Sequence, residues 1–351
     1  MERELFFNSL KLCAGGLAER SPVTAFTQFW FDGQTVSAYN DIIGVDADCK
    51  TDVSGGLPGA LLLGLVGSSL AKQVTFSDKK SDIQIKLGAA NATLPKSPTS
   101  DRIWTWPSST PKNINLDFVL STEFLTMLKM VATSAAGGAS ETADQGVCVI
   151  GTKSELRLFA YNGPCLSWAT VPFTGGEALR AIWPLTLCKL LEKLGPESHV
   201  HMTDDGVYVT VKEKTVRAFS RLLVETTPRD YVSTIKQRVA GEHRADAVPV
   251  PQRRLQLALD RMVLFSGHVE DSSVRLKSDG KYLSLSLVGT GGSLYDRVAL
   301  EKDLPPGLEG HFDAKLLRDS LDCGDVFLFD ERRFFVTNPN GTSGRMIAGK
   351  A

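Results

Sequence analysis

The strongest constraint on the fold is an internal repeat with a period of 126 residues. Three short segments of alternating apolar residues begin at Val74, Val200 and Val326, and each runs into aspartate or glycine residues that suit a hairpin turn. A second alternating segment follows each of them, at residues 83–87, 207–211 and 333–337. The sequence therefore predicts three copies of one β-hairpin.

A leucine-rich segment precedes each of these hairpins, with apolar residues three or four positions apart. This spacing is typical of a helix that buries one face. The three segments are residues 61–66, 185–194 and 316–321. The first half of each unit has the same order, with an amphipathic segment followed by a hairpin. The amphipathic segments are residues 5–17, 124–131 and 255–262, and the hairpins are residues 29–39, 147–160 and 273–287.

Each unit therefore reads helix, strands, helix, strands, which predicts an α+β fold with two helices on a curved antiparallel sheet in each of three pseudo-repeated domains. Shifts in composition mark the expected boundaries between the domains. Residues 95–111 hold four prolines among serines and threonines, and residues 241–251 are polar and then proline-rich. We place the domains at residues 1–110, 111–243 and 244–351. A duplicated scaffold that forms no larger assembly fits the same repeat.

Composition and charge are those of an ordinary soluble protein. The net charge of −1 neither supports nor excludes a nucleic-acid partner, because the distribution of charge matters more than its sum. No signal-like start or apolar stretch long enough to span a bilayer is present, so we expect a cytoplasmic protein. The six cysteines have neither CxxC nor zinc spacing, and we expect buried free thiols.

Motifs for catalysis, metals and cofactors are absent from the sequence. His199 and His201 share one face of a predicted strand, with Asp204 and Asp205 at the turn, but a solvent-facing strand explains them more simply than a metal site. The glycine-rich residues 289–292 open no helix and lack the dinucleotide fingerprint. No phosphate loop and no GxSxG elbow occurs. We expect a non-enzymatic protein without metal or cofactor.

Several stretches resemble the bacterial replicative sliding clamp, the beta subunit of DNA polymerase III. Residues 146–149 and 155–163 resemble the hairpin of that family's middle domain. Residues 228–231 (Pro-Arg-Asp-Tyr) resemble its Phe-Pro-Asp-Tyr turn, residues 255–265 resemble the opening helix of its third domain, and residues 20–23 resemble the segment after its first helix. The resemblance covers nearly the whole chain, in pattern more than in identity.

The resemblance implies the DNA-clamp fold and a non-enzymatic processivity factor. Two chains of this family form a head-to-tail homodimeric ring that encircles duplex DNA without reading its sequence, and the ring tethers the polymerase and the clamp loader through short peptides. It also implies a location with the nucleoid of a bacterial or phage-infected cell. The first alternative is a repeat-built structural or assembly protein of a virus, without DNA binding. The second is an enzyme whose active-site residues are far apart in the sequence.

In this family, helices line the channel, and cationic side chains hold phosphates in a way that allows sliding. The six predicted helical segments together carry an excess of three positive charges. For any one of these side chains, a solvated helix face is as good an explanation as a DNA contact. The channel candidates are Arg20, Lys72, Lys129, Lys189, Lys193, Arg253, Arg254, Arg261, Lys315 and Arg318.

The resemblance further implies an apolar pocket for partner peptides between the second and third domains. The positions that match it are Tyr161, Asn162, Gly163, Pro164, Cys165, Leu166, Arg345, Met346, Ile347 and Ala348. Pro164-Cys165 replaces the usual His-Arg, Asp144 stands where an apolar residue is expected, and the tail at residues 349–351 lacks the usual Met-Pro-Met ending. This divergence would suit a phage-encoded clamp with altered peptide preference. Plain packing of hairpin and tail is the simpler alternative.

Overall fold

The computed structural model describes most of the chain. The described residues are 1–105, 114–135, 146–173, 179–204, 206–211, 216–223, 230–233, 235, 247–267, 273–289 and 291–350. Several residues considered above lie outside them, namely 106–111, Asp144, Asp205, Pro228, Arg229, 241–246, Thr290 and Ala351.

The predicted helical segments are helices in the structure. The first helices of the three repeats, α1, α3 and α5, alternate along the chain with the second helices, α2, α4 and α6. Their bounds are α1 Arg3–Cys13, α2 Gly59–Ser68, α3 Thr122–Ala132, α4 Leu185–Leu194, α5 Gln252–Ser266 and α6 Ala314–Ser320. α1 ends before the predicted limit, since a 3-10 turn at Ala14–Gly16 follows it.

The strands form the predicted hairpins and add a third strand to each. In the first repeat they are β1 Gln28–Asp32, β2 Thr35–Tyr39, β3 Ile43–Asp48, β4 Ser54–Pro58, β5 Val74–Asp78, β6 Asp82–Leu87 and β7 Ala90–Pro95. In the second they are β8 Leu116–Val119, β9 Gly146–Gly151, β10 Glu155–Tyr161, β11 Cys165–Pro172, β12 Leu179–Pro184, β13 His199–Met202, β14 Gly206–Val211 and β15 Val216–Arg221. In the third they are β16 Val248–Pro249, β17 Ser273–Ser278, β18 Tyr282–Gly289, β19 Gly292–Ala299, β20 Glu309–Asp313, β21 Val326–Phe329, β22 Arg333–Thr337 and β23 Ser343–Ala348.

The chain divides into two compact units. The first contains the described residues of Met1–Leu125, Gly175–Leu179 and Trp183–Leu223, and the second those of Thr126–Thr174, Arg180–Ile182 and Val224–Ala351. Neither unit coincides with one repeat, because the second repeat contributes to both. The three-domain boundaries therefore stay a prediction from the sequence repeat.

The first unit holds an eight-stranded antiparallel sheet with the order β4-β1-β2-β3-β15-β14-β13-β8, and a three-stranded sheet β5-β6-β7. Strand β3 of the first repeat pairs with β15 of the second, so one sheet continues from one repeat into the next. Arg217 and Asp46 lie directly opposite each other at this joint and form an ion pair.

The second unit repeats this plan. Its eight-stranded sheet has the order β12-β9-β10-β11-β23-β22-β21-β16, and its four-stranded sheet the order β19-β18-β17-β20. Here β11 of the second repeat pairs with β23 of the third. The relation between neighbouring repeats at this joint is therefore the same as at the joint between β3 and β15.

The apolar faces of the helices pack into the cores that the sequence pattern predicts. On α4, Leu187, Leu190, Leu191 and Leu194 are buried together with Cys188. Complete burial of one such leucine contributes about 2 kcal/mol to stability. α1 buries Phe6, Leu10 and Cys13, and the equivalent face of α3 carries Phe124, Leu128 and Val131, which are also buried.

All six cysteines are buried and unbridged, which confirms the expectation of free buried thiols. Burial raises the pKa of Cys148 to about 12. The pKa of Cys323 rises to about 11, mainly through burial and against the charge of Arg345. These thiols are protonated at neutral pH and therefore poor nucleophiles. Within the described residues, no helix has the length and apolar character to cross a membrane.

Candidate functional site

The two stretches matched to a partner pocket lie side by side in the second unit. Residues 161–166 form the turn between β10 and β11, and β23 pairs with β11 immediately beyond it. Gly163 takes a φ of +79°, a left-handed conformation that side chains disfavour and that a tight turn needs. The backbone N–H of Ala348 donates a hydrogen bond of 2.7 Å to the carbonyl oxygen of Pro164, which fixes the C-terminal strand against the turn.

The strand register divides these residues between the two faces of the sheet. Tyr161 lies opposite Leu166, and Leu166 lies opposite Met346, so these three side chains share one face. Cys165 lies opposite Ile347, and both point to the other face. We call the face of Tyr161, Leu166 and Met346 the outer face, since the opposite face packs against the helices.

Side-chain contacts identify that opposite face as the helix side. Ile347 belongs to the apolar core formed with α5 and α6. Ser134, just after α3, lies 3.2 Å from Sγ of Cys165 and 2.6 Å from Oγ of Ser167. On the outer face, Leu166 is buried, whereas Tyr161 and Met346 are partly exposed.

Arg345 lies on the helix side and is buried. Its Nε donates to Ser167 Oγ at 2.9 Å, one terminal nitrogen donates to the carbonyl oxygen of Asp319 at 2.9 Å, and the other donates to Thr133 Oγ1. All three nitrogens of the guanidinium are thus engaged, and the side chain ties β23 to β11 and to the ends of α3 and α6. These contacts give Arg345 a structural role at this joint.

Aromatic side chains extend the outer face around Tyr161. The ring of Tyr231 packs edge-on against Tyr161 and Phe159, with centroids 5.9 and 5.8 Å away. Tyr231 is 39% exposed, whereas Phe159 is fully buried, so the cluster has an apolar base and an accessible rim. Sequence similarity predicted a turn at residues 228–231; residues 231–233 are helical in the structure, and Tyr231 lies beside the predicted pocket.

An ionic cluster centred on Asp230 holds the start of this helical segment. Arg157 donates to Asp230, and Ser233 donates to the same carboxylate through its hydroxyl at 2.6 Å and its backbone N–H at 3.2 Å. Burial opposes ionisation of Asp230, but the hydrogen bonds from Ser233 and the charge of Arg157 outweigh it and lower the pKa of Asp230.

A cavity of about 440 Å³ opens on the helix side of the same joint. It lies between α3 and α6 and is lined by Thr126, Lys129, Met130, Thr133, Asn162, Cys165, Leu316, Asp319, Asp322, Cys323 and Arg345. Asn162, Cys165 and Arg345 from the predicted peptide pocket thus share a cavity with Lys129 from the predicted channel set. Nothing in the sequence pattern indicated that these two sets of residues meet.

Most of the channel candidates are exposed on helices or beside them. Within the described part of the chain, eight of the ten form no ion pair with an acidic side chain. These eight are Arg20, Lys72, Lys129, Lys189, Lys193, Arg253, Arg254 and Lys315. Their charges are therefore available to a polyanion.

The other two candidates are engaged in ion pairs. Arg261 on α5 donates to Asp296 on β19, and Arg318 on α6 donates to Asp260 on α5 at 3.0 Å. Exposed pairs of this kind are worth up to about 1 kcal/mol, so they reduce the charge available to a ligand without fixing the side chains rigidly. Periodicity could not have revealed either partner.

Lys11 is a cation that the sequence comparison missed. When Phe6, Leu10 and Cys13 of α1 are aligned with Phe124, Leu128 and Val131 of α3, Lys11 falls at the position of Lys129. In the first unit, Lys11 and Lys193 border one cavity of about 750 Å³, together with Asn8, Leu12, Ala14 and Leu63. Cations from two different repeats thus converge on one surface.

No protein-family model matches the sequence, and no curated protein sequence is significantly similar to it. Solved structures do match over the full length. The DNA polymerase III beta subunit of Thermotoga maritima superposes with a TM-score of 0.84 at 18% identity, covering 100% of this chain and 98% of that one.

Two further solved structures agree. The DNA polymerase sliding clamp of Bacillus subtilis gives a TM-score of 0.82 at 16% identity, with 100% of this chain and 98% of that chain covered. The DnaN sliding clamp of Pseudomonas aeruginosa bound to griselimycin gives 0.81 at 18% identity, with the same coverage. The expected α+β clamp fold is confirmed, and the similarity in sequence is low.

Proposed function

We propose that this protein is a non-enzymatic DNA sliding clamp, which encircles duplex DNA as a ring and tethers replication proteins to it. The observation that carries the proposal is the full-length match of all three repeats to DNA polymerase III beta subunits, without a large insertion or missing element. A processivity factor needs a closed shape and mobile phosphate contacts, and it needs no catalytic group.

The arrangement of the strands supports a head-to-tail ring. β15 pairs with β3 at one joint, and β23 pairs with β11 at the next. The corresponding strands of the first and third repeats are β7 and β19, and each is the end strand of its sheet among the described strands. Pairing of β7 with β19 of a second copy would continue the same rule, and two such joints would close a homodimer.

The distribution of cations supports DNA as the occupant of the ring. Lys11 and the unpaired channel candidates other than Arg20 and Lys72 lie on helices, and helices with exposed lysines can contact phosphates without reading bases. We assign Arg20, Lys72, Lys129, Lys189, Lys193, Arg253, Arg254 and Lys315 to this surface, with Lys11 added. Arg261 and Arg318 contribute once a phosphate competes with their aspartates.

The outer face of the joint between β11 and β23 supports a partner-peptide site. Tyr161, Met346 and Tyr231 offer an accessible apolar surface with aromatic edges beside the buried Leu166, which suits a short peptide that inserts a few apolar anchors. Gly163, Pro164 and Ala348 form its rim. Cys165, Arg345 and Ile347 would support this surface from the helix side, and Asn162 would line the neighbouring cavity.

Covalent ring closure tests encirclement without requiring a cognate clamp loader. Single cysteines are placed on β7, at Asn91 or Thr93, and on β19, at Ser293 or Tyr295. All four positions are exposed. The four double variants are oxidised with nicked circular plasmid, and a variant that forms a doubly bridged dimer is used. We expect this dimer to stay on the circle in high salt and denaturant, and to leave when the plasmid is linearised or the bridges are reduced.

Two results would contradict the proposal. If no pair bridges two copies although the protein is dimeric, the β7–β19 joint is wrong. If bridged dimers form but leave nicked circles as readily as linear DNA, the chain has the fold of a clamp without encirclement. The alternative of a structural or assembly protein would then be preferred. The native buried thiols serve as the internal control, since the parent chain should form no bridge.

A further inference from the structure

In the first unit, the side of the eight-stranded sheet that points away from the core carries a cluster of two histidines and an aspartate. His199 and His201 lie on β13, two residues apart, and therefore point to the same side. Asp117 lies on the neighbouring strand β8, directly opposite His201. One ring nitrogen of each histidine and a carboxylate oxygen of Asp117 all lie within 4.8 Å of one another.

The fold fixes the direction of these side chains. Val200 and Met202 alternate with the histidines and are fully buried, and Trp183 donates its Nε1–H to Met202 Sδ at 3.1 Å. The histidine side of β13 must therefore face away from the core. The backbone under the cluster is rigid, because β13 is paired on both sides, with β14 and with β8.

We propose that Asp117, His199 and His201 form a binding site for a divalent transition-metal ion, with Zn²⁺ as the physiological candidate. Two imidazoles and one carboxylate are ligands that Zn²⁺ prefers and that Mg²⁺ and Ca²⁺ do not select. Three protein ligands leave the fourth position of a tetrahedral ion to water. The surface is exposed enough for the ion to enter, since the side chain of Asp117 is 48% accessible.

One of the two distances between Asp117 and the histidines matches the spacing of ligands around a metal ion, and the other, from Asp117 Oδ1 to His199 Nε2, is a hydrogen bond of 2.5 Å. In a tetrahedral site with bonds of about 2.1 Å, ligand atoms lie about 3.4 Å apart. His201 Nδ1 lies 3.3 Å from Asp117 Oδ1, close to this separation. Within the described part of the chain, that nitrogen is buried and makes no hydrogen bond, so its binding capacity is unused.

A hydrogen bond already joins Asp117 to the second histidine, His199. Asp117 Oδ1 is hydrogen-bonded to Nε2 of His199, and an ion bound by both groups would replace this hydrogen bond.

The sequence pointed to the histidines but not to the carboxylate. Asp204 appeared to be their nearest acidic neighbour, but its Oδ1 instead accepts a hydrogen bond of 2.5 Å from the Asn115 side chain. Asp117 precedes His199 by 82 residues and reaches it only through the pairing of β8 with β13. A bound ion would clamp β8, the end strand of this sheet, to β13.

Metal titration of the full-length, untagged protein tests the site. Co²⁺ is the spectroscopic probe, because four-coordinate Co²⁺ has intense visible bands that the hexaaqua ion lacks. We expect one equivalent of Co²⁺ to produce these bands and one equivalent of Zn²⁺ to remove them. The variants His199→Gln, His201→Ala and Asp117→Asn should each weaken Zn²⁺ binding by at least about 100-fold in competition with a chromophoric chelator.

His311→Ala is the matched control, because His311 is exposed on β20 in the second unit and outside the cluster. It should bind Zn²⁺ like the parent chain, and circular dichroism should show all variants folded. Zn²⁺ should also raise the melting temperature of the parent and of His311→Ala, but not that of His201→Ala. The proposal is overturned if the parent binds no stoichiometric ion, or if the three cluster variants bind as tightly as the control. Neither result depends on DNA encirclement.

Discussion

Nε of Arg345 on β23 donates a hydrogen bond of 2.9 Å to Oγ of Ser167 on β11, and the two residues lie directly opposite each other where the second and third repeats share a sheet. At the joint between the first and second repeats, Arg217 and Asp46 occupy the same relation. In both cases an arginine from the later repeat binds a polar side chain of the earlier one. Each joint therefore has a polar contact that fixes its register in addition to its backbone hydrogen bonds.

Arg345→Met should destabilise the protein by about 3 kcal/mol, because it removes a buried guanidinium and leaves Ser167, Thr133 and the Asp319 carbonyl without their donor. Arg345→Lys should destabilise the protein less than Arg345→Met, because a lysine keeps a donor but cannot make the three hydrogen bonds of the guanidinium. Arg332→Ala, at an exposed position, should change stability by less than about 0.5 kcal/mol. Denaturant unfolding measures all three, and equal effects of Arg345→Met and Arg332→Ala would refute the structural role.

Asp230→Asn should lower stability by about 1.5 kcal/mol at neutral pH, since it weakens charged hydrogen bonds from Arg157 and Ser233. The pKa of Asp230 is lower in the folded chain than in the unfolded chain, where it is about 3.9. The stabilisation is therefore complete above about pH 5 and is lost as the pH falls through the folded pKa. Unfolding of parent and variant between pH 7 and pH 3 tests this, and a difference that grew on acidification would have the wrong sign.

The channel assignment predicts a change in the salt dependence of DNA binding. Lys11→Ala and Lys129→Ala should each reduce the slope of log K against log salt by roughly one unit, as expected for one lost phosphate contact. Lys86→Ala is the control, because Lys86 is exposed on β6 between Ile85 and Leu87, which are buried, and so points away from the core. Fluorescence anisotropy with duplex DNA at several salt concentrations gives the slopes, and equal slopes for all three variants would remove both lysines from the DNA surface.

The outer-face assignment predicts that Met346→Asp weakens binding of a partner peptide at least about 10-fold, because a charge would replace an apolar contact on the outer face. The probe is a labelled peptide from the tail of a clamp-dependent polymerase. Val288→Asp, at a position that is 72% exposed on β18, should leave binding unchanged. If the peptide binds the parent and Met346→Asp equally, the partner surface lies elsewhere.

The buried thiols predict that a thiol reagent such as DTNB modifies none of the six cysteines in the native protein and all six after unfolding. Burial both blocks access and raises the thiol pKa, as for Cys49, whose pKa rises to about 12. Rapid modification of any cysteine under native conditions would show that its part of the core opens readily.

Local sequence pattern was sufficient to place most helices and hairpins. The spacing of Leu187, Leu190, Leu191 and Leu194 defines the buried face of α4, and the alternation beginning at Val74, Val200 and Val326 defines three hairpins. This works because side-chain direction repeats every 3.6 residues in a helix and every two in a strand. The resemblance to clamps rests on the same repeated order of elements.

Pairing between distant strands was decided only by the tertiary structure. The sequence brought residues 161–166 and 345–348 into one predicted pocket, but the register of β11 against β23 sends Leu166 and Met346 to the outer face and Cys165 and Ile347 to the core. In the same way, β8 beside β13 brings Asp117 to His199 and His201. A shift of one residue in either register would reverse these faces, and the register depends on packing between residues far apart in the chain.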